Sequence, residues 1–166
     1  MDGSLLLRHL TTSPRAARRL FSEACLAKIE EAIHRSEQRH LGQIVFVVES
    51  TLSPLQVWRG ATAKTRARAM FLDSGCWDTE HNNGVLIYLL VAERDFEIVA
   101  DRGIHAHVSD EGWEAICRQM EQAFRDGRFL DGVLQGIAAV SQHLEAHFPR
   151  TSAPSANEVS DKPIIL

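Results

Sequence analysis

The sequence predicts an α/β protein, a three-layer α/β/α sandwich around a small mixed β-sheet, with elements in the order helix, strand, helix, strand, strand, helix, helix. Three observations carry that expectation. Ile44 to Val48 and Val85 to Val91 are uniformly apolar runs without period-two alternation, the pattern of strands covered on both faces. Before, between and after them, apolar residues recur at helical spacing. The chain of 166 residues is 45% hydrophobic, enough for one compact domain with a sizeable core and a tail.

Ser13-Pro14 has the chemistry of a helix start, and Ser22 offers a second cap after a break, so residues 1–21 read as an N-terminal helical extension. Leu26, Ile29 and Ile33 then define the buried face of a helix over residues 24–39, ended by His40-Leu41-Gly42. The first strand, Ile44 to Val48, follows and finishes in Glu49-Ser50. Ser53-Pro54 repeats the capping signature, after which Leu55, Trp58, Thr62, Thr65, Ala69 and Leu72 fall on one stripe of a helix roughly four to five turns long. A strand, a helix and a strand in succession imply a right-handed crossover, so the first two strands should run parallel.

The second strand passes through a charged turn into Phe96 to Asp101, whose β-branched and aromatic residues suit an antiparallel partner. A two-residue turn at Glu93-Arg94 sets Phe96 opposite Val91, Ile98 opposite Leu89, Ala100 opposite Ile87, Asp101 opposite Leu86 and Gly103 opposite Gly84. Ser109 or Asp110 caps the next helix, with Trp113, Ile116, Met120 and Phe124 inward and Gly127 as terminator. Asp131 caps the last, with Val133, Ile137, Val140 and Leu144 inward and Pro149 just beyond its end. The main domain is thus expected over 22–149. Residues 150–166, rich in Ser, Ala and Pro and aperiodic until Ile164-Ile165-Leu166, read as a disordered tail.

A net charge of −4 with a pI near 6 offers no basic face for nucleic acid. Arg59, Lys64, Arg66 and Arg68 form the one local basic run, read as a solvated helix face. Cys25, Cys76 and Cys117 are widely spaced, odd in number and without a Cys-x-x-Cys pair, as expected of reduced, packed thiols. No run approaches the ~20 apolar residues that span a bilayer. The opening Met1 to Arg8, acidic at Asp2 and with only three consecutive leucines, fails as a secretory signal. The expectation is a cytoplasmic protein with no direct membrane insertion.

Several stretches together carry a family likeness: Asn83-Gly84-Val85-Leu86-Ile87, Glu97 through Ile104, Phe124-Arg125-Asp126-Gly127-Arg128-Phe129, and Asp131-Gly132-Val133-Leu134-Gln135-Gly136-Ile137. In these the chain resembles the TPM domain family, shared by a plant thylakoid-lumen photosystem repair protein and many bacterial proteins. The resemblance runs from about Ser22 to Pro149 and is most specific in the second half. It implies an α/β/α sandwich, a divalent-cation site reported as calcium in some members, a weak acid phosphatase activity ascribed to the plant member, and roles in the upkeep of membrane complexes. Many bacterial relatives carry a signal peptide and a membrane-spanning or glycine-rich C-terminus, and this chain looks like the short soluble branch.

Calcium takes six to eight oxygens from carboxylates, amides, carbonyls and water. The hairpin brings Asp78, Glu80 and Asn83 to the sheet end that holds Asp101, and these four are the expected metal ligands, with carbonyls near Gly103 as additions. In the register above, Asn83 lies three residues beyond the partner of Asp101, roughly 10 Å along the strand at about 3.4 Å per residue, so a shared ion needs the ladder to break near Gly103. Ca²⁺ is the expected ion, with Mg²⁺ and Zn²⁺ as alternatives. His81, His105 and His107 form a weaker, softer ligand set, and His143 and His147 read as a helix surface. Trp58 and Trp113 sit on helix stripes and are expected in the core. Glu49, Glu93 and Asp95 meet at the opposite end as a weaker acidic candidate.

For phosphatase chemistry the chain has no Cys-x5-Arg loop, Asp-x-Asp pair or Arg-His-Gly signature. Two functions from different classes remain. The favoured one is a divalent-cation-binding accessory module acting through protein partners on membrane-associated assemblies. The alternative is a metal-assisted acid phosphatase with Asp101, Asp78 or Glu80 on the metal and Arg102 on the phosphate.

Overall fold

A computed structural model describes residues 3–151 and 157–166. In chain order they form α1 (Gly3–Thr11), α2 (Ala16–Leu20), α3 (Glu23–Glu37), β1 (Gln43–Glu49), α4 (Pro54–Trp58), α5 (Ala63–Asp73), β2 (Gly84–Leu90), β3 (Asp95–Ala100), α6 (Arg102–His105), α7 (Asp110–Arg125), α8 (Phe129–His147) and β4 (Ile164–Ile165). The sheet order is β3-β2-β1-β4, with β1 parallel to β2 and to β4 and antiparallel pairing only between β2 and β3. The mixed sheet and the parallel crossover are as the sequence predicts.

Every residue of β1 and β2 is buried because each face of the sheet has its own core. Ile44, Phe46, Val48, Val85, Ile87 and Leu89 pack with Ile29 and Ile33 of α3, Met120 of α7 and Val140 and Leu144 of α8. Val45, Val47, Leu86, Tyr88 and Leu90 pack on the other face with Val57 of α4 and Ala67 and Phe71 of α5. Two wet-side-free strands need helices above and below, and their unbroken apolar runs follow from that.

The helix expected from residue 55 to 72 is two helices, which changes the face it buries. Ser53 and Gln56 form one reciprocal cap and Thr62 and Thr65 another, and between them Gly60 takes a left-handed φ of 78°. Thr62 is therefore a cap and not a member of a buried stripe. Val57, Ala63, Ala67 and Phe71 point inward instead, while Leu55 and Leu72 are exposed and Trp58, expected in the core, is 71% exposed. The stripes expected for α3, α7 and α8 are buried as read, Trp113 included. α8 begins two residues earlier than Asp131, behind Arg128.

The β2–β3 connection holds four residues, not two. Leu90 pairs with Asp95 and Val85 with Ala100, so Ala100 faces Val85 rather than Ile87, and Val91 to Arg94 make the turn with Arg94 at φ 56°. A single non-glycine residue in the left-handed region carries no sequence signal comparable to Asn-Gly.

Residues 157–166 also depart from the expected disordered tail, of which 152–156 lie outside the described residues. Ile164 and Ile165 pair with Val47 and Val48, and the Leu166 N–H donates to the Val48 carbonyl at 2.9 Å. The Gln43 side-chain oxygen accepts from the N–H groups of Glu158 and Val159 at 3.0 and 2.9 Å. Val159, Ile164 and Ile165 are half-buried, which at roughly 1.5–3 kcal/mol for a full side chain makes this segment worth about 2–3 kcal/mol. Deleting 157–166 is therefore expected to lower the melting temperature by about 5–10 °C. An unchanged melting temperature by calorimetry would show that the segment contributes nothing.

Candidate functional site

The polar end of the hairpin is set by its backbone. The Asp101 N–H donates to the Gly84 carbonyl at 2.8 Å, so Asp101 faces Gly84 and not Leu86, and Asn83 stands one residue past that partner. The three-residue offset expected from a two-residue turn shrinks to one. Asp101 is the N-cap of α6, its Oδ1 accepting from the Arg102 N–H at 2.7 Å, while its Oδ2 is buried without a partner. Asn83 is fully buried, its N–H donates to Thr79 Oγ1 at 3.1 Å, and neither atom of its carboxamide has a partner. An unpaired buried polar group costs on the order of 1–3 kcal/mol, so these three atoms gain from any ligand that reaches them.

Glycines let other backbone close in on the same place. A β-carbon on Gly103 would stand 2.4 Å from the Asn82 carbonyl oxygen and 2.7 Å from that of His81. Arg102 Nε reaches back to Asn82 Oδ1 at 3.3 Å, tying α6 to this segment. Cys76, fully buried, lies behind: burial first and the Asp101 carboxylate second push its thiol up. Burial and Glu97 push the Cys117 thiol up to about 12. Neither is a thiolate nucleophile at neutral pH. Cys76 is the residue at this end that sequence reasoning missed, and Gly84, whose β-side it fills, was the available signal.

The four expected ligands are only partly assembled. Asn83 and Asp101 meet at the ends of adjacent strands, whereas Asp78 and Glu80 are exposed on the segment that leads into β2. The Glu80 N–H donates to Glu158 Oε2 at 2.9 Å. Among the described residues no group of three or more His, Cys, Asp or Glu could hold a metal ion. The histidines are dispersed: His105 lies 3.6 Å from Asp110, His107 stacks on His147 with ring centroids 4.4 Å apart, and His81 is exposed.

At the opposite end Glu49 is a filled carboxylate. Arg66 donates to both of its oxygens at 2.9 and 3.1 Å and the Tyr88 hydroxyl donates at 2.6 Å, an arrangement that pins α5 to the sheet. Glu93 accepts from His9 Nε2 at 2.9 Å, since the Leu52 N–H donates to His9 Nδ1 and leaves the ring proton on Nε2. Burial and the nearby Glu97 carboxylate raise Asp95 to about 6. These acids do not converge on a common point as the weaker acidic candidate required.

The sequence profile of the TPM domain matches residues 16–143. The chain belongs to the TPM domain family. This TPM domain is similar to the solution structure of BA42 from the psychrophilic bacterium Bizionia argentinensis, with 26% identity, a TM-score of 0.75, and coverage of 87% of this chain and 94% of that one. It shares its fold with the N-terminal domain of a protein from P. gingivalis (19% identity, TM-score 0.63, 78% and 79% of the two chains). The same holds for the N-terminal domain of cg2496 from Corynebacterium glutamicum (16%, 0.56, 81% and 78%). No curated protein matches the chain. Among the described residues no helix is long and apolar enough to cross a membrane.

Proposed function

We propose that this TPM domain is a divalent-cation-binding accessory module of the calcium type, acting from the cytoplasm through a protein partner in the upkeep of membrane-associated assemblies. The observation that supports the cation is the buried, unpartnered Asp101 Oδ2 beside the unpartnered Asn83 carboxamide at one end of adjacent strands. A hard cation takes an ionised carboxylate oxygen, an amide oxygen and backbone carbonyls, and the Asn82 and His81 carbonyls lie next to Gly103. Asp101 and Asn83 would hold the ion, with Asp78 and Glu80 adding negative charge from the exposed lead-in segment. One buried carboxylate places the affinity in the weak class, Kd on the order of 10⁻⁴–10⁻³ M. The partner-mediated role is supported by the family resemblance.

Binding to the native state adds RT ln(1 + [L]/Kd), so millimolar calcium is expected to raise the melting temperature by a few degrees. Asp101→Asn keeps the cap of α6, because Asn caps as well as Asp, and is expected to lose the calcium effect. His105→Ala with His107→Ala is expected to retain it. No shift in the wild type, or loss in the histidine pair with retention in Asp101→Asn, would sink the carboxylate site. Metal-dependent phosphate release by the wild type that Asp101→Asn lacks would instead establish the phosphatase alternative.

A further inference from the structure

A cavity of about 710 Å³ lies between the N-terminal helices and the β2–β3 turn, at the end of the sheet opposite Asp101. β1 and β2 run parallel for seven residues, so the two ends are about 20 Å apart at ~3.3 Å per residue. Parallel strands of open α/β sheets leave a crevice beyond their carboxyl ends, and ligands favour it. Here that crevice is roofed by residues 8–13, which precede the match to the TPM domain.

Three arginines from three elements line it: Arg8 of α1, Arg19 of α2 and Arg94 of the turn. None has an ion-pair partner among the described residues, and the one carboxylate on the wall, Glu93, is already held by His9. The three guanidinium groups are exposed around the mouth, and an oxyanion with parallel acceptor oxygens can take bidentate bonds from them. On a chain of net charge −4 this is a local reversal of sign. The floor is different in character, formed by Leu20, Val91 and the rings of Phe124 and Phe129, whose centroids are 4.7 Å apart in an edge arrangement. Inorganic phosphate alone would leave that floor wet and most of the volume unused, while a neutral ring would leave the arginines unpaired.

We propose that this cavity binds a small organic anion, an oxyanion head of phosphate or carboxylate type on a planar apolar body, with Arg8, Arg19 and Arg94 on the head and Phe129 under the body. Glu93 keeps the turn in place through His9 and takes no part in binding. The site is separate from the Asp101 end and does not depend on any cation there.

Titration followed by NMR amide shifts and by calorimetry tests it with four probes. Phenylphosphonate and benzoate carry head and body, inorganic phosphate carries the head alone, and benzyl alcohol carries the body alone. At least one of the first two is expected to bind tenfold or more tightly than inorganic phosphate or benzyl alcohol, and the tighter of them identifies the head. Perturbed amides should cluster on residues 8–20 and 91–94. Arg19→Gln with Arg94→Asn, the latter chosen because Asn tolerates a left-handed φ, is expected to weaken binding at least tenfold with an unchanged melting temperature. Added salt should weaken it as well. Undiminished affinity in that variant, binding of benzyl alcohol as tight as that of the anions, or no binding of either aromatic anion at millimolar concentration would overturn the proposal.

Discussion

Gly84→Ala is expected to lose about 4 kcal/mol or more of stability, which is over 10 °C in melting temperature for a chain of this size. A β-carbon at residue 84 would stand 1.9 Å from the Cys76 carbonyl oxygen and 2.9 Å from its Sγ. The first contact is with backbone, which cannot rotate out of the way as a side chain can. Gly84 also pairs with Gln43 at the start of the central ladder, and its carbonyl accepts the Asp101 N–H, so relief by shifting β2 would break both. Gly112→Ala is the matched control. There the nearest atom is a side-chain methyl of Val108 at 3.0 Å, in the first turn of α7, and the change should stay within about 1 kcal/mol. Chemical denaturation of the two variants measures the difference, and equal stabilities would show that the Cys76 segment yields freely.

Glu37→Gln is expected to stabilise the protein at pH 8 and above by roughly 3 kcal/mol and to leave it nearly unchanged below pH 4.5. Glu37 is buried at the end of α3, its Oε1 accepting the Ile44 N–H at 2.7 Å, and burial first raises its carboxyl to about 8. The Ile44 bond opposes that rise, Asp161 adds to it by charge and by a shared hydrogen bond, and the Arg150 charge opposes it. Asp161 is itself held by His34 Nδ1 at 3.0 Å and by Asn157 at 2.7 Å. A carboxyl raised in the folded state stabilises fully below its unfolded value near 4.5, and that contribution is lost as pH rises through about 8. Glutamine keeps the acceptor for Ile44 and replaces the acid proton with an N–H toward Asp161. The full shift would correspond to about 5 kcal/mol, reduced here because an ionised Glu37 can draw in water. His40 works from the acid side: burial lowers it to about 4, so its contribution is present above 6.5 and lost as pH falls. The comparison of Glu37→Gln with wild type from pH 4 to 9 isolates the glutamate. Parallel curves would mean that Glu37 is ionised throughout.

The central strands were legible because burial on both faces leaves no room for a polar residue from Ile44 to Val48 or from Val85 to Leu90. The inward stripes of α3, α7 and α8 were legible because each helix meets one sheet face and keeps one period. The break between α4 and α5 is hidden because Thr62 sits at the spacing of a stripe while its hydroxyl serves as a cap, and the left-handed Gly60 two residues earlier is its one local mark. The hairpin register slipped by two because a turn ending in a left-handed arginine looks, in sequence, like any charged pair. Asn83 and Asp101 were placed at the same end despite that error, since either register brings both to the mouth of the hairpin. Residues 157–166 were illegible for a different reason: their partners, Gln43, Val48 and His34, are more than 110 residues away and leave no local period.

That distance also orders assembly. Bringing Ile165 to Val48 closes a loop of more than a hundred residues, an entropic cost that short contacts such as the β2–β3 turn do not face, so the outer side of β1 should be the last part of the sheet to pair. Until then its amides and carbonyls form an open template, flanked by Ile44 to Val48 with no charged side chain to repel another chain. During refolding, the interval before Ser50 receives the Leu166 carbonyl is the period when two chains can pair wrongly, and aggregation should rise with protein concentration in that interval alone.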